Sequence, residues 1–390
     1  MQQHILSPKT SSDRLSLTQL EAYIRTIDTA EYTRNRNYIG GSTLLSEYIT
    51  RGVIGLPRIR DLVLEKNTKS ASFKFLSELS WREYWQVSWE ALGDGIYDYI
   101  RPAPYGVRPG LPMAVIEAST GITALDEGIE RLKKSGYIDN HMRMWLAGMV
   151  CHVAKCDWKI GADWMHSYLI DGDFAVNHLS WQWVAGTYTG KPYLPQQENI
   201  NKYSKSEQKS TFLDHSYTEI SSMEIPEVLL NTVEVLPFHK SILPENTITL
   251  AELHAADELL LYSPWTLDPS WRHVNKSLRV LLIDTDVFSN GRFSQTVIDS
   301  ILWFGNQIPG LLIYCDSVKD LQNLDAHIIR KAYAGITNWP GEVDLAEKLY
   351  PEVPVAHYKS FSAYWNQIKR YTYTDQQSLF SSSDIINANE

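Results

Sequence analysis

Asp171, Asp173, Asn177, Trp181 and Trp183 lie within thirteen residues, in Asp171-Gly-Asp-Phe-Ala-Val-Asn177-His-Leu-Ser-Trp181-Gln-Trp183. Two carboxylates, an amide and two indoles on one short segment are too polar and too bulky for an ordinary core. They suit a flat, redox-active ring that needs polar contacts at one edge and electron donors nearby. An amide beside such a ring donates or accepts without fixing a charge there. That suits a reduced anionic ring, which an adjacent carboxylate would repel. Alone, an Asn in a helix reads as a capping or solvent-facing residue, and an Arg–Asp match as a surface ion pair worth at most ~1 kcal/mol.

The elements that must position these groups read as helices. Leu17 to Ile24 has apolar residues at helical spacing behind a Ser16 cap. Residues 72–92 form a longer helix with Trp81, Trp85 and Trp89 on one face, where Trp85 and Trp89 read as core. Further helices are expected from Thr123 to just before Gly136, over 140–155 and over 163–170, with a Pro-marked irregular stretch around residues 102–112.

Four separated blocks now stand in order: Gly41-Ser42-Thr43-Leu44-Leu45-Ser46, Glu78-Leu-Ser-Trp81-Arg82-Glu83-Tyr84, Gly136-Tyr137-Ile-Asp-Asn140-His-Met-Arg143-Met144, and the Asp171–Trp183 run. Over roughly residues 15–203 the chain resembles the helical flavin domain of the DNA photolyase and cryptochrome family. The resemblance implies FAD as cofactor. It assigns Asn177 to flavin N5, Arg143 and Asp171 to a salt bridge beside the ring, and Asp173 to the ring's pyrimidine side. Ser42, Thr43, Leu45 and Ser46 fall on the phosphate-contacting segment, where hydroxyls and backbone amides suit an anion. Tyr32, Arg82 and Asn140 fall at other FAD positions.

The resemblance also implies a pocket for a pyrimidine dimer flipped out of DNA, at a cost of a few kcal/mol (a rough figure). Trp81 and Trp183 are its expected walls, Glu78 its catalytic carboxyl, Asn140 a polar contact and Met144 a soft one. Asn140 and Met144 stand where relatives acting on (6-4) photoproducts have His, which favours the cyclobutane dimer. Trp181 and Trp158 match the first two tryptophans of the family's electron-supply chain, and are expected to be catalytic in that sense. The distal tryptophan is missing, and the region that should hold it offers Tyr97, Tyr99 and Tyr105. Tyr137 also replaces a family tryptophan. His141 and His178 read as structural.

The remaining totals set limits. The net charge of −10 looks wrong for a DNA binder, but residues 1–203 hold 22 basic and 22 acidic residues, and the remaining 14 and 24 lie beyond them. Cys151, Cys156 and Cys315 form no metal spacing and no disulfide framework, so reduced, mostly buried thiols and no metal are expected. No apolar run approaches membrane-spanning length, and Met1 to Leu17 holds no signal-peptide stretch, so a cytoplasmic protein is the default.

Residues 226–380 alternate apolar runs with helical patterns, at 259–262, 279–284, 310–315 and 353–356 for strands and 294–304 and 361–368 for helices. The expected architecture is α plus α/β. It comprises a photolyase-type helical FAD domain over 1–200, a polar linker over 201–225 and a smaller parallel, Rossmann-like α/β domain over 226–380. Some βα units here faintly resemble the family's antenna domain, which normally comes first, so a swapped domain order is expected. The implied function is light-dependent splitting of cyclobutane pyrimidine dimers in damaged DNA, single- or double-stranded. The alternative is a cryptochrome-like blue-light receptor that binds FAD without repair.

Overall fold

The computed structural model describes residues 14–104, 106–234, 236, 239–273, 277–288 and 291–372; Tyr105 lies outside them. The chain opens with helices α1 (Leu17–Ile24), α2 (Thr29–Asn35), α3 (Ser46–Thr50), α4 (Leu56–Leu64) and α5 (Phe73–Leu92). Ser16 and Gln19 satisfy each other's backbone N–H groups at the start of α1, which buries Leu20 and Ile24. On α5, Trp85 and Trp89 are buried, as their spacing predicts.

A two-residue strand β1 (Leu111–Pro112) leads into α6 (Met113–Glu117), α7 (Thr123–Ser135), α8 (Asn140–Gly148), α9 (Trp158–Tyr168), α10 (Phe174–Ala185), α11 (Gln197–Ser204) and α12 (Tyr217–Ser222). The helix expected over 140–155 is α-helical only to Gly148 and continues as a π-helical turn, Met149–Val153. The one expected from 163 begins earlier, because the Asp157 carboxylate caps the Lys159 N–H.

The stretch expected as a linker is folded. α12 starts in a Ser216–Glu219 capping box, Leu213 and Ile220 are buried, and Thr232–Val233 (β2) pairs antiparallel with β1. Its polar composition reflects the solvent side of short helices that bury few residues, Ile220 alone in α12.

The second half contains α13 (Leu250–His254), β3 (Glu258–Tyr262), β4 (Leu278–Leu282), α14 (Thr285–Phe288), α15 (Gln295–Gly305), β5 (Leu311–Tyr314), β6 (His327–Lys331), β7 (Glu342–Asp344) and α16 (Phe361–Thr372). The strands form one parallel sheet in the order β5-β4-β3-β6-β7. Residues 353–356, expected as a strand, are irregular, and Pro354 has no N–H to give a ladder. The sheet is completed by β6 and β7, whose short apolar content between charged residues gave little signal.

The order reverses between β3 and β6, where open α/β sheets usually leave a crevice at the carboxyl ends of the strands. Here Trp265 and Tyr333, which follow β3 and β6, stack there at 5.2 Å and 5°. They rest on the helical half, with Trp265 5.5 Å from Phe174 and Tyr333 5.3 Å from Trp89. Arg51 is fully buried beside them, donates to the carbonyls of Ile170 (2.7 Å) and Pro264 (3.3 Å), and so ties the halves together. One apolar core runs from α1–α5 into the sheet, and a second lies among α7–α12.

Candidate functional site

The Asp171 loop sits between α9 and α10, with α3, α5 and α8 around it. Arg143 on α8 donates through Nη2 to both oxygens of Asp171, at 2.9 and 3.0 Å, while its Nε is held by the Ile138 carbonyl. Burial works to raise the Asp171 carboxyl, but Arg143, with help from the Ser46 hydroxyl, outweighs it, and the net displacement is downward. Thr50 at the end of α3 donates to the Asp171 carbonyl at 3.0 Å and also receives a short hydrogen bond from Arg82. Four of the expected residues, Ser46, Arg82, Arg143 and Asp171, therefore converge, with Thr50 as an unforeseen link.

The loop before α3 is held by Gly41, where a side chain's Cβ would lie 1.9 Å from the Asn35 carbonyl oxygen. After it Leu44 takes a positive φ of 55° and Leu45 returns to the right-handed region. Such an alternation turns successive N–H groups toward one side, the geometry of an anion-binding concavity. Ser42 Oγ accepts from Leu44 N at 3.2 Å, and Thr43 gives its carbonyl to the Tyr23 hydroxyl.

Asn177 projects from α10, and its Nδ2 donates to the Ala162 carbonyl at 2.9 Å. No donor among the described residues reaches its Oδ1. One turn on, Trp181 is buried with its indole N–H unpartnered, and the Trp158 N–H is unpartnered as well. The Trp181 ring lies over Gly161 of α9, where a Cβ would come within 2.5 Å of it. Trp158 meets the edge of Tyr99 at 6.0 Å, so a tyrosine stands next to it where the distal tryptophan is missing.

Other expected residues are engaged differently. Asp173 caps α10 through Val176 N (2.9 Å) and takes Gln86 Nε2 on both oxygens (2.8 Å each), with Arg82 at 4.0 Å and the Tyr333 hydroxyl at 3.5 Å. Glu78, expected as the catalytic carboxyl, pairs with Lys74 (3.1 Å) and Arg36 (3.4 Å). Trp81, expected as a wall of the pocket, is stacked on Phe361 of α16 at 4.1 Å and 10°. Trp183 is half-buried and 6.1 Å from Tyr193. Asn140 is exposed, its Nδ2 3.8 Å from Met144 Sδ on the next turn of α8. Tyr32 packs edge-on against Phe75, and burial, chiefly, raises its hydroxyl pKa.

Gln86, Tyr333 and Phe361 were not anticipated. Gln86 lies one turn beyond Arg82 on the same helix, which is a usable signal. The other two arrive from the far end of the chain and leave none. His141 stacks on Tyr203 (4.7 Å) and His178 bridges Phe174 O and Asp163, both structural as expected. Cys151, Cys156 and Cys315 form no disulfide, and no metal-binding cluster occurs among the described residues. No helix among them is long and apolar enough to cross a membrane.

Comparison with known proteins identifies the class. Residues 75–232 match the family model described as the FAD binding domain of DNA photolyase. Through this helical part the chain is similar to the DNA photolyase and cryptochrome family, and the matched domain is one that binds FAD. The residue types fit that group: an amide whose oxygen takes no donor among the described residues, a guanidinium–carboxylate pair, and beside that pair the Ser46 hydroxyl at the end of the loop.

Among relatives, the chain is similar to the deoxyribodipyrimidine photo-lyase of Buchnera aphidicola, at 28% identity over 166 residues, which is 40% of this chain and 35% of that one. It is similar to cryptochrome DASH of Idiomarina loihiensis, at 25% over 230 residues, covering 55% and 51%. A solved Synechocystis cryptochrome shares 19% identity at a TM-score of 0.45, covering 55% of this chain and 48% of that one. The chain spans 35 to 41% of the length of the first three curated photolyases it matches.

Proposed function

We propose that this protein is a light-driven electron-transfer enzyme that splits cyclobutane pyrimidine dimers in DNA. The observation that carries the reading is Asn177. Its NH2 is fixed by the Ala162 carbonyl, which leaves the amide oxygen available and no charge at that edge of the site. Bound FAD, when reduced and excited by blue light, would supply the electron that opens the dimer. The chain's part is positional. Arg143 is locked by Asp171 and Ile138, so its remaining N–H groups keep a fixed direction and would be available to the cofactor. Asn177 would offer the ring nitrogen an uncharged partner. Glu78 would hydrogen-bond the pyrimidine edge once Lys74 or Arg36 yields. Trp158 and Trp181 offer the route by which the cofactor is reduced.

Illumination of the protein with a thymine-dimer oligonucleotide tests this. Loss of the dimer, dependent on reduced FAD and diminished in Asn177→Asp, is the expected result. Dimers that persist under light with reduced cofactor bound would end the reading. A second reading is a cryptochrome-like receptor that keeps FAD and signals through partners. The stack of Phe361 on Trp81 favours it, because the face a flipped base would use is already taken.

A further inference from the structure

The first turn of α16 places Phe361 against two indoles. Trp81 lies parallel to it at 4.1 Å and 10°, and Trp365 is near-parallel at 5.8 Å and 27°. Trp365 in turn meets Phe73 edge-on at 5.9 Å. A parallel contact near 4 Å is the separation at which a nucleobase lies on an indole.

The helix does not depend on this ring for its place. Tyr364 and Ile368 are fully buried, Trp365 nearly so, and the Tyr364 hydroxyl donates to Glu83 on α5 at 2.9 Å. Glu83 also accepts from the backbone N–H groups of Leu349 and Tyr350, which fasten the segment leading toward α16. Detaching α16 would expose three large apolar side chains and strip donors from a buried carboxylate. The helix is therefore a fixed part of the fold, while Phe361 itself is only half-buried.

We propose that Phe361 is a specificity-determining residue: it occupies the stacking face of Trp81 and so excludes an extrahelical pyrimidine from that wall. The inference rests on the reading of Trp81 as the wall of the substrate pocket. A base and a phenyl ring stack on an indole with comparable strength. A base entering in place of Phe361 gains little for the cost of leaving its duplex. Removing the ring alone uncovers the face of Trp81 on which Phe361 lies.

The test uses the full chain and three variants: Phe361→Ala, Phe361→Leu, which keeps apolar volume without a ring, and Trp81→Ala/Phe361→Ala. Affinity for a short fluorescein-labelled oligonucleotide with one thymine dimer is read by anisotropy, against the undamaged sequence. Circular dichroism confirms folding. Both single variants are expected to bind the dimer at least ~10-fold more tightly than wild type. Undamaged DNA should be unaffected, and the double variant should lose the gain.

Wild-type affinity in a folded Phe361→Leu protein overturns the proposal, as does a gain that survives loss of Trp81. If the gain appears but light splits no dimers, exclusion by Phe361 stands and the repair reading fails. If wild type binds and splits dimers as well as Phe361→Ala does, exclusion fails and the repair reading stands.

Discussion

Arg143 and Asp171 are the most constrained pair in the site. Asp171 is almost fully shielded, and Arg143 supplies both hydrogen bonds to its oxygens. Removing the guanidinium leaves a buried carboxylate with only the Ser46 hydroxyl and the more distant Arg82 to compensate it, so Arg143→Ala is expected to cost about 3 kcal/mol in urea unfolding. Asp171→Asn should cost less, because a neutral amide tolerates the same burial. The folded-state pKa of Asp171 is depressed, so the pair's contribution is complete at neutral pH. It is lost as pH falls below the ordinary aspartate value of about 3.9. Equal stability of wild type and Arg143→Ala at pH 7 would show that the pair is only a surface contact. The same residues show what a sequence can reveal. Arg143 and Asp171 were legible only through the family resemblance of the two blocks that hold them, since charge alone would read as a surface ion pair. The partners of Asp173 were not, since Tyr333 arrives from a loop 160 residues away.

Among the elements, α5 does two jobs on different faces. Arg82 and Gln86 turn toward Thr50 and Asp173, while Trp81 and Glu83 turn toward the C-terminal segment. Glu83 gathers three donors, from Leu349 N, Tyr350 N and the Tyr364 hydroxyl. Burial nonetheless pushes its carboxyl pKa up, ahead of the lowering effect of those donors. Glu83→Gln would place an NH2 group against converging N–H and O–H donors. We expect a loss of about 1–3 kcal/mol, together with faster proteolysis between residues 345 and 372. Unchanged cleavage there would mean that the carboxylate does not fasten the segment. The long helices, α5 and α7, were legible from their 3.6-residue period and the glycine ending each. The short β6 and β7 and the folded stretch around α12 were not, because each is too short, or buries too few residues, for a period to repeat.

Across the whole molecule, the helical half and the sheet share one core, closed by the Trp265–Tyr333 stack and by Arg51, whose pKa burial lowers to about 10. Burial likewise lowers the pKa of His141, His152 and His166, most strongly His166. The unfolded chain takes up protons below about pH 6.5 that these folded imidazoles refuse. Stability is therefore complete above that pH and declines as pH falls, by up to about 1.4 kcal/mol per pH unit for each such group. Glu83 and Asp284, raised by burial, act in the opposite direction in the carboxylate range. Urea midpoints measured from pH 7.5 to 5 should fall steadily, and a flat profile would rule out neutral buried histidines as the cause.

The sequence by itself determined the helical class, the parallel α/β half after it, the resemblance to a FAD-binding family and most of the groups that meet around Asp171. Those features are written in local spacing, in residue type and in blocks whose chemistry is specific. Only the tertiary structure decided that Trp81 is covered by Phe361, that Glu78 is paired, and that the sheet's crevice is filled with aromatic rings. Each of these depends on which distant surfaces pack together. Packing follows from the shape of the whole core, which no window of neighbouring residues encodes.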